Sequence, residues 1–159
     1  MARSGKAPSR ALIKPFVVLH NLIYRVSGGR FAGHFGKGPV LLLSVRRRKS
    51  GKLQTVPLIY IQTDRGYAVI ASFAGSPTNP AWYQNLQAVG TAEIQLGARR
   101  MIVRAANVAF GSPTYNDIWE RAVSVYPDYE TYKARTARRI PVVELVPQGA
   151  VESRYRKRN

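Results

Sequence analysis

The sequence predicts an α+β fold built around a small antiparallel β-barrel, on three observations. Six segments rich in β-branched and aromatic residues follow one another between Pro39 and Pro147. The turns at Asp64-Arg65-Gly66 and Gly97-Ala98 are short enough for hairpins, so neighbouring strands pair antiparallel and a parallel, doubly wound sheet is set aside. Only short helical stretches interrupt the strands, and six strands make a closed barrel or a strongly bent sheet. With 159 residues and an apolar fraction of 45%, the chain suffices for one domain with a genuine core.

At the N-terminal end, Pro15 at a first helical position and the Gly28-Gly29 stop frame a helix. Its Phe16, Leu19, Leu22, Ile23 and Val26 share one face, which either packs on the core or lies on a membrane surface. In the second case Arg10, Lys14 and Arg25 meet anionic head groups. Lys14, Pro15, His20, Asn21 and Arg25 interrupt the apolar run too often for it to span a bilayer, and no small-residue cleavage site of a secretory signal follows. Residues 28–38 read as a Gly-rich loop, which closes an N-terminal unit of residues 1–38.

Strands are expected over residues 40–45, 55–62, 67–72, 92–96, 99–109 and 140–146. One helix opens at Asn79-Pro80 and runs to Val89, a second opens at Ser112-Pro113 and runs to Tyr126, and a short third follows Pro127-Asp128. The barrel domain thus covers residues 39–147. Residues 148–159 form a charged tail in which Arg154, Arg156, Lys157 and Arg158 read as a solvated end.

Twenty-five Lys and Arg against eight Asp and Glu leave a formal charge of +17, which attracts phosphates, nucleic acid or anionic lipid heads. The basic residues are dispersed and no nucleic-acid module is present, so no specific nucleic-acid partner is expected. Without cysteine the chain has no disulfide, thiolate nucleophile or thiolate metal site, and the cytoplasm is its natural compartment, with the inner face of the membrane as the alternative location. His20 and His34 have no paired carboxylate motif, which argues against a metal centre or a Ser-His-Asp triad.

Three clusters are able to carry chemistry. In the run Arg46-Arg47-Arg48-Lys49-Ser50-Gly51-Lys52, between the first two expected strands, side chains and backbone amides can converge on one anion. A solvated basic turn is the competing reading, and the run is not a P-loop, because the glycine spacing and the following helix are missing. From Ala71 through Leu86 a strand ends, a small-residue loop follows and a helix opens, where free amides suit an anion or the polar edge of a ring. Trp82 and Leu86, four apart, can equally face the core. In Tyr126-Pro127-Asp128-Tyr129-Glu130-Thr131-Tyr132 the tyrosines are three apart, so three phenols share a face that either walls a pocket or simply packs. The chain therefore offers phosphate ligands and aromatic walls but no nucleophile, as expected where a cofactor supplies the reactivity.

In the order Arg48-Lys49-Ser50-Gly51, Pro57-Leu58, Pro80 to Leu86, Tyr126-Pro127 and Ile140-Pro141-Val142-Val143, the chain resembles the deazaflavin (coenzyme F420)-dependent nitroreductase and reductase family, from about Pro39 to Pro147. The resemblance implies a split β-barrel of the flavin-reductase and PNPOx-like type. It also implies an F420-dependent reductase that passes a hydride from the reduced 8-hydroxy-5-deazaflavin to an electron-poor quinone, enone or nitro compound. Arg48, Lys49, Ser50 and Gly51 match the positions that hold the anionic phospholactyl-oligoglutamate tail. Pro57, Leu58, Ile70, Ala71 and Ser72 match positions around the ring, and Pro80, Trp82 and Asn85 those of the following helix. Tyr126, Tyr129 and Tyr132 match substrate-pocket positions, and Ser72 a position near the acceptor, which makes these four the candidate catalytic residues.

The chain departs from the family pattern at Arg47, where Gly is usual, at Gln54, a cofactor-site position commonly Arg, and at Phe73, where some members have Lys. Arg46, Arg47 and Lys52 can replace the missing cations. Related split barrels pair into dimers, so a homodimer is a further expectation. The alternative function is a split barrel that has lost deazaflavin binding and holds a lipid or fatty-acyl ligand.

Overall fold

The computed structural model describes residues 10–149, with side chains from Pro15 onward; residues 150–159 of the expected tail and the Arg10 and Lys14 side chains lie outside the described residues. In chain order the elements are α1 (Arg10–Ser27), β1 (His34–Phe35), β2 (Gly38–Arg46), β3 (Leu53–Thr63), β4 (Gly66–Ile70), a 3-10 turn (Phe73–Gly75), α2 (Ala81–Val89), β5 (Thr91–Leu96), β6 (Arg99–Asn107), α3 (Pro113–Val125), α4 (Asp128–Ala134) and β7 (Val142–Pro147). Strands pair antiparallel in the order β2-β3-β4-β7-β6-β5, and β5 returns to β2 with Leu43 opposite Ile94, which closes a six-stranded barrel. The expected fold is the one observed.

Alternation along the strands separates an inside from an outside. Leu41, Leu43 and Val45 of β2 point inward with Val69, Ile94, Val103, Val143 and Leu145, and α2 seals this core with Trp82 and Leu86. Each such fully buried side chain contributes on the order of 1.5–3 kcal/mol. On the outside, α3 and α4 lay Tyr115, Ile118, Trp119 and Tyr129 over Ile61, Ala68, Ile70 and Val142. Ser112 caps α3 by accepting from the Tyr115 amide at 3.1 Å, and Pro113 occupies its first turn, as the sequence suggested.

Four expectations are corrected. The first helix begins at Arg10 and contains Pro15, which removes only one backbone bond near the end of the helix. Its apolar stripe does not face the core: Phe16, Leu19, Leu22, Ile23 and Val26 are 40–81% exposed. The opposite side is seated instead, through Tyr24, whose hydroxyl donates to the Val40 carbonyl (2.9 Å) and accepts from the Gly97 amide (2.8 Å). A polar anchor of this kind leaves no trace in hydrophobic periodicity. The Gly-rich stretch also contains β1, paired with Gly38 and Pro39, and Ile140 and Pro141 precede β7 rather than opening it, since proline lacks the ladder donor. Among the described residues no helix is long and apolar enough to cross a membrane.

Candidate active site

The basic turn between β2 and β3 is closed by two backbone bonds, Arg47 N–H to Lys52 O (2.9 Å) and Gly51 N–H to Arg47 O (2.8 Å). Gly51 takes φ +68°, which a β-carbon resists, so glycine is required there. Residues 46–52 are all exposed, and none of their five cations forms an ion pair among the described residues. Their charge is left for an external anion.

Asn85, on α2 and 4% exposed, ties this turn to the barrel. Its Oδ1 accepts from the Arg48 amide (3.1 Å) and from Arg48 Nη1 (3.2 Å), and its Nδ2 donates to Gln54 Oε1 (2.9 Å). Gln54, where the family pattern has Arg, therefore serves as a neutral acceptor.

Between β4 and α2 the chain turns through three consecutive left-handed residues, Phe73 (φ 46°), Ala74 (φ 51°) and Gly75 (φ 75°). For a non-glycine residue this conformation costs roughly 1–2 kcal/mol. A β-carbon on Gly75 would lie 2.6 Å from the Tyr132 carbonyl, so only glycine lets α4 approach the turn. The same turn sets Ser72 at the cavity wall and leads to Pro80 and Trp82.

Tyr126, Tyr129 and Tyr132 meet in one cluster, with ring centroids 5.2–6.3 Å apart. Tyr126 precedes α4, so the shared helical face expected from the spacing is completed by the Tyr126-Pro127 bend. The Tyr126 and Tyr132 hydroxyls are 3.0 Å apart, and Tyr129 is 5% exposed. Burial first, and for Tyr126 also the bond to Tyr132, pushes the Tyr126 and Tyr129 phenol pKa values well above the ordinary tyrosine range. Both therefore stay protonated, and the Tyr126 hydroxyl is bonded to that of Tyr132.

These parts border one cavity of about 1350 Å³. Ligand pockets are commonly about 300–1000 Å³, so the space accommodates more than one molecule. Of the residues singled out in the sequence, Arg48, Lys49, Ser50, Gln54, Pro57, Leu58, Ile70, Ser72, Pro80, Trp82, Asn85 and the three tyrosines line it. Gly51 lies in the turn beside it, and Ala71 is wholly buried in the barrel core behind it. Sequence reasoning missed the wall supplied by α1, where Phe16, Val17, Val18, His20, Asn21, Leu22 and Arg25 border the cavity and Asn21 and Arg25 bond to Thr55 of β3. Burial lowers the His20 pKa despite its backbone bond with Ala32, and its Nδ1 has no hydrogen-bond partner.

A split β-barrel with one cavity bordered by both a basic turn and a tyrosine cluster is an arrangement suited to a cofactor-dependent oxidoreductase. The F420H(2)-dependent quinone reductase family model matches residues 17–147, and the chain belongs to that family. A Mycobacterium tuberculosis protein assigned provisionally to the same reductases is 41% identical over 110 residues, 69% of this chain and 91% of its own length. Among solved structures, an F420-H2 dependent reductase is 34% identical with a TM-score of 0.60, over 67% of this chain and 93% of its own. A second solved structure, described as a domain-swapped dimer, is 30% identical with a TM-score of 0.62, over 80% of this chain and 96% of its own.

Proposed function

We propose that this chain binds coenzyme F420 and reduces a quinone by hydride transfer, with enones and nitro compounds as further electron-poor acceptors. The observation that carries the reading is one cavity lined both by Arg47, Arg48 and Lys49, which form no ion pair among the described residues, and by the tyrosine cluster. The residues present fit the group: Arg48, Lys49, Ser50 and the Gly51 backbone suit its anionic tail, and Pro57, Leu58, Ile70, Pro80 and Trp82 offer apolar surface for a flat ring.

When bound, the reduced deazaflavin supplies the hydride. The protein's own part is to hold two flat molecules in close, aligned approach, which needs rigid walls rather than a nucleophile. Negative charge then grows on the acceptor oxygen. Of the paired Tyr126 and Tyr132 hydroxyls, one donates to the other, and the accepting hydroxyl keeps its own proton for that oxygen. Ser72, whose hydroxyl makes no bond among the described residues, is a second donor at the same wall. Residues 39–147 in this reading carry the cofactor, and α1 adds a wall beside β3.

The test is a fluorescence titration of the full chain with F420 and with FMN, followed by turnover with menadione. Tighter deazaflavin binding with quinone reduction is expected. Equal or tighter FMN binding overturns the reading, and fatty-acyl binding without deazaflavin quenching favours the lipid-holding alternative.

A second reading concerns α1, favoured by its exposed Leu19, Ile23 and Val26, which lie outside the cavity lining, beside Arg25 and Arg30. We infer that this face rests on an anionic membrane surface, from which an apolar quinone can reach the cavity. Sedimentation with anionic liposomes that Leu19→Glu with Val26→Glu abolishes is expected. Concentration-dependent dimerisation lost in the same variant would assign the face to a second copy of the chain instead.

A further inference from the structure

Arg138 lies between α4 and β7 and belongs to none of the clusters singled out in the sequence, but it bonds to one of them. Its Nε donates to the Ser76 carbonyl (2.8 Å), Nη1 to Asn79 Oδ1 (2.8 Å), and Nη2 to the carbonyls of Ala71 (3.1 Å) and Ser72 (2.7 Å). Four oxygens of one connection, residues 71–79, are thus gathered on a single planar guanidinium. No carboxylate pairs with it among the described residues. A charge that is partly buried without a counter-ion is retained by charge-assisted bonds, and here every such bond goes to the segment that carries Ser72.

That segment does not hold its shape by local preference. Phe73 and Ala74 are left-handed without being glycine, and such backbone persists only where its surroundings over-determine it. Arg138 spans the strained turn from both sides, holding Ala71 and Ser72 before it and Ser76 and Asn79 after it. The Gly75 approach to the Tyr132 carbonyl fixes the same turn against the tyrosine cluster.

We propose that Arg138 is a positioning residue for hydride transfer, a clamp that holds the Ser72 turn and, through it, the distance between the ring wall and the tyrosine wall. The proposal rests on the reductase reading above for its kinetic consequence, though not for the clamp itself. Misplacement of reacting groups by about 1 Å can cost on the order of 100-fold in rate, so a loosened turn is read in kcat and not in cofactor affinity. Lys at this position keeps the charge and loses the fork.

The experiment compares the full chain with Arg138→Ala and Arg138→Lys by two readouts. Hydrogen exchange at the amides of residues 72–78 should quicken about tenfold or more in both variants, with the β2, β6 and β7 amides unchanged. Turnover with menadione should show kcat lowered about 10- to 100-fold, deazaflavin Kd within about threefold of the parent, and partial recovery when guanidinium is added to Arg138→Ala. Should Arg138→Ala fail to fold, Arg138→Gln replaces it in both measurements. Unchanged exchange, unchanged kcat, or a loss confined to cofactor Kd overturns the clamp. A parent that fails to bind the deazaflavin overturns the reductase reading instead, and the exchange data then decide the clamp alone.

Discussion

A single side-chain oxygen of Asn85 accepts from both the backbone amide and the guanidinium of Arg48, at 3.1 and 3.2 Å, so the basic turn is hung from α2 by one buried amide. Asn85→Ala leaves that amide without its partner and Gln54 without its donor. Losing one partner of a buried polar pair costs about 1–3 kcal/mol. Deazaflavin affinity in a fluorescence titration should fall about tenfold, with a lowered Tm. Unchanged affinity would show that the turn keeps its shape unaided.

The exposed cations act differently. Arg48→Ala with Lys49→Ala removes two charges of the turn but leaves the backbone bonds from Arg47 to Lys52 and from Gly51 to Arg47 in place. Because attraction between exposed charges is screened by salt, the double variant should bind the deazaflavin more weakly and with a flatter dependence on ionic strength. Equal slopes for parent and variant would place the anionic tail elsewhere.

The strands, α2, α3 and α4 were legible because each has a local cause: alternating side chains, Gly97-Ala98 as a turn, Pro80 and Pro113 at helix starts. The basic turn and the tyrosines were legible as clusters for the same reason. Arg138 was not, since its partners lie 59–67 residues away and a cation in the run from Lys133 to Arg139 looks solvated. Nor was the seating of α1, where the buried ring and bonded hydroxyl of Tyr24 hold the helix while the apolar stripe, which periodicity leaves to either the core or a membrane surface, stays exposed.

His20 gives a dependence on pH. Burial lowers its pKa in the folded chain and the Nδ1 lacks a partner, so the fold favours the neutral ring. A group protonated more readily when unfolded contributes stability that is present above its unfolded pKa of about 6.5 and is lost as pH falls below it. Between pH 7.5 and 5 the parent Tm should therefore fall more steeply than that of His20→Gln. Parallel curves would mean that His20 titrates alike in both states.

The tyrosine cluster gives the sharpest test of chemistry. Tyr126 and Tyr132 share a hydrogen bond, so either change to Phe keeps the ring wall and breaks the chain that would meet the acceptor oxygen. Removing one donor to a developing oxyanion costs about 100- to 1000-fold in kcat where the oxygen is fully enclosed, and the open side of this cavity lowers the expectation to about 10- to 1000-fold. Because the two hydroxyls act as one chain, Tyr126→Phe with Tyr132→Phe should cost little more than either alone. Tyr129, 5% exposed and packed against Trp119 with ring centroids 6.1 Å apart, offers the cavity little surface, so Tyr129→Phe should change kcat by less than about threefold. In every variant the deazaflavin affinity should stay near that of the parent, since none of these hydroxyls belongs to the basic turn. Full activity in the Tyr126 and Tyr132 variants would reduce the cluster to packing and leave Ser72 and the backbone amides of its turn to meet the charge.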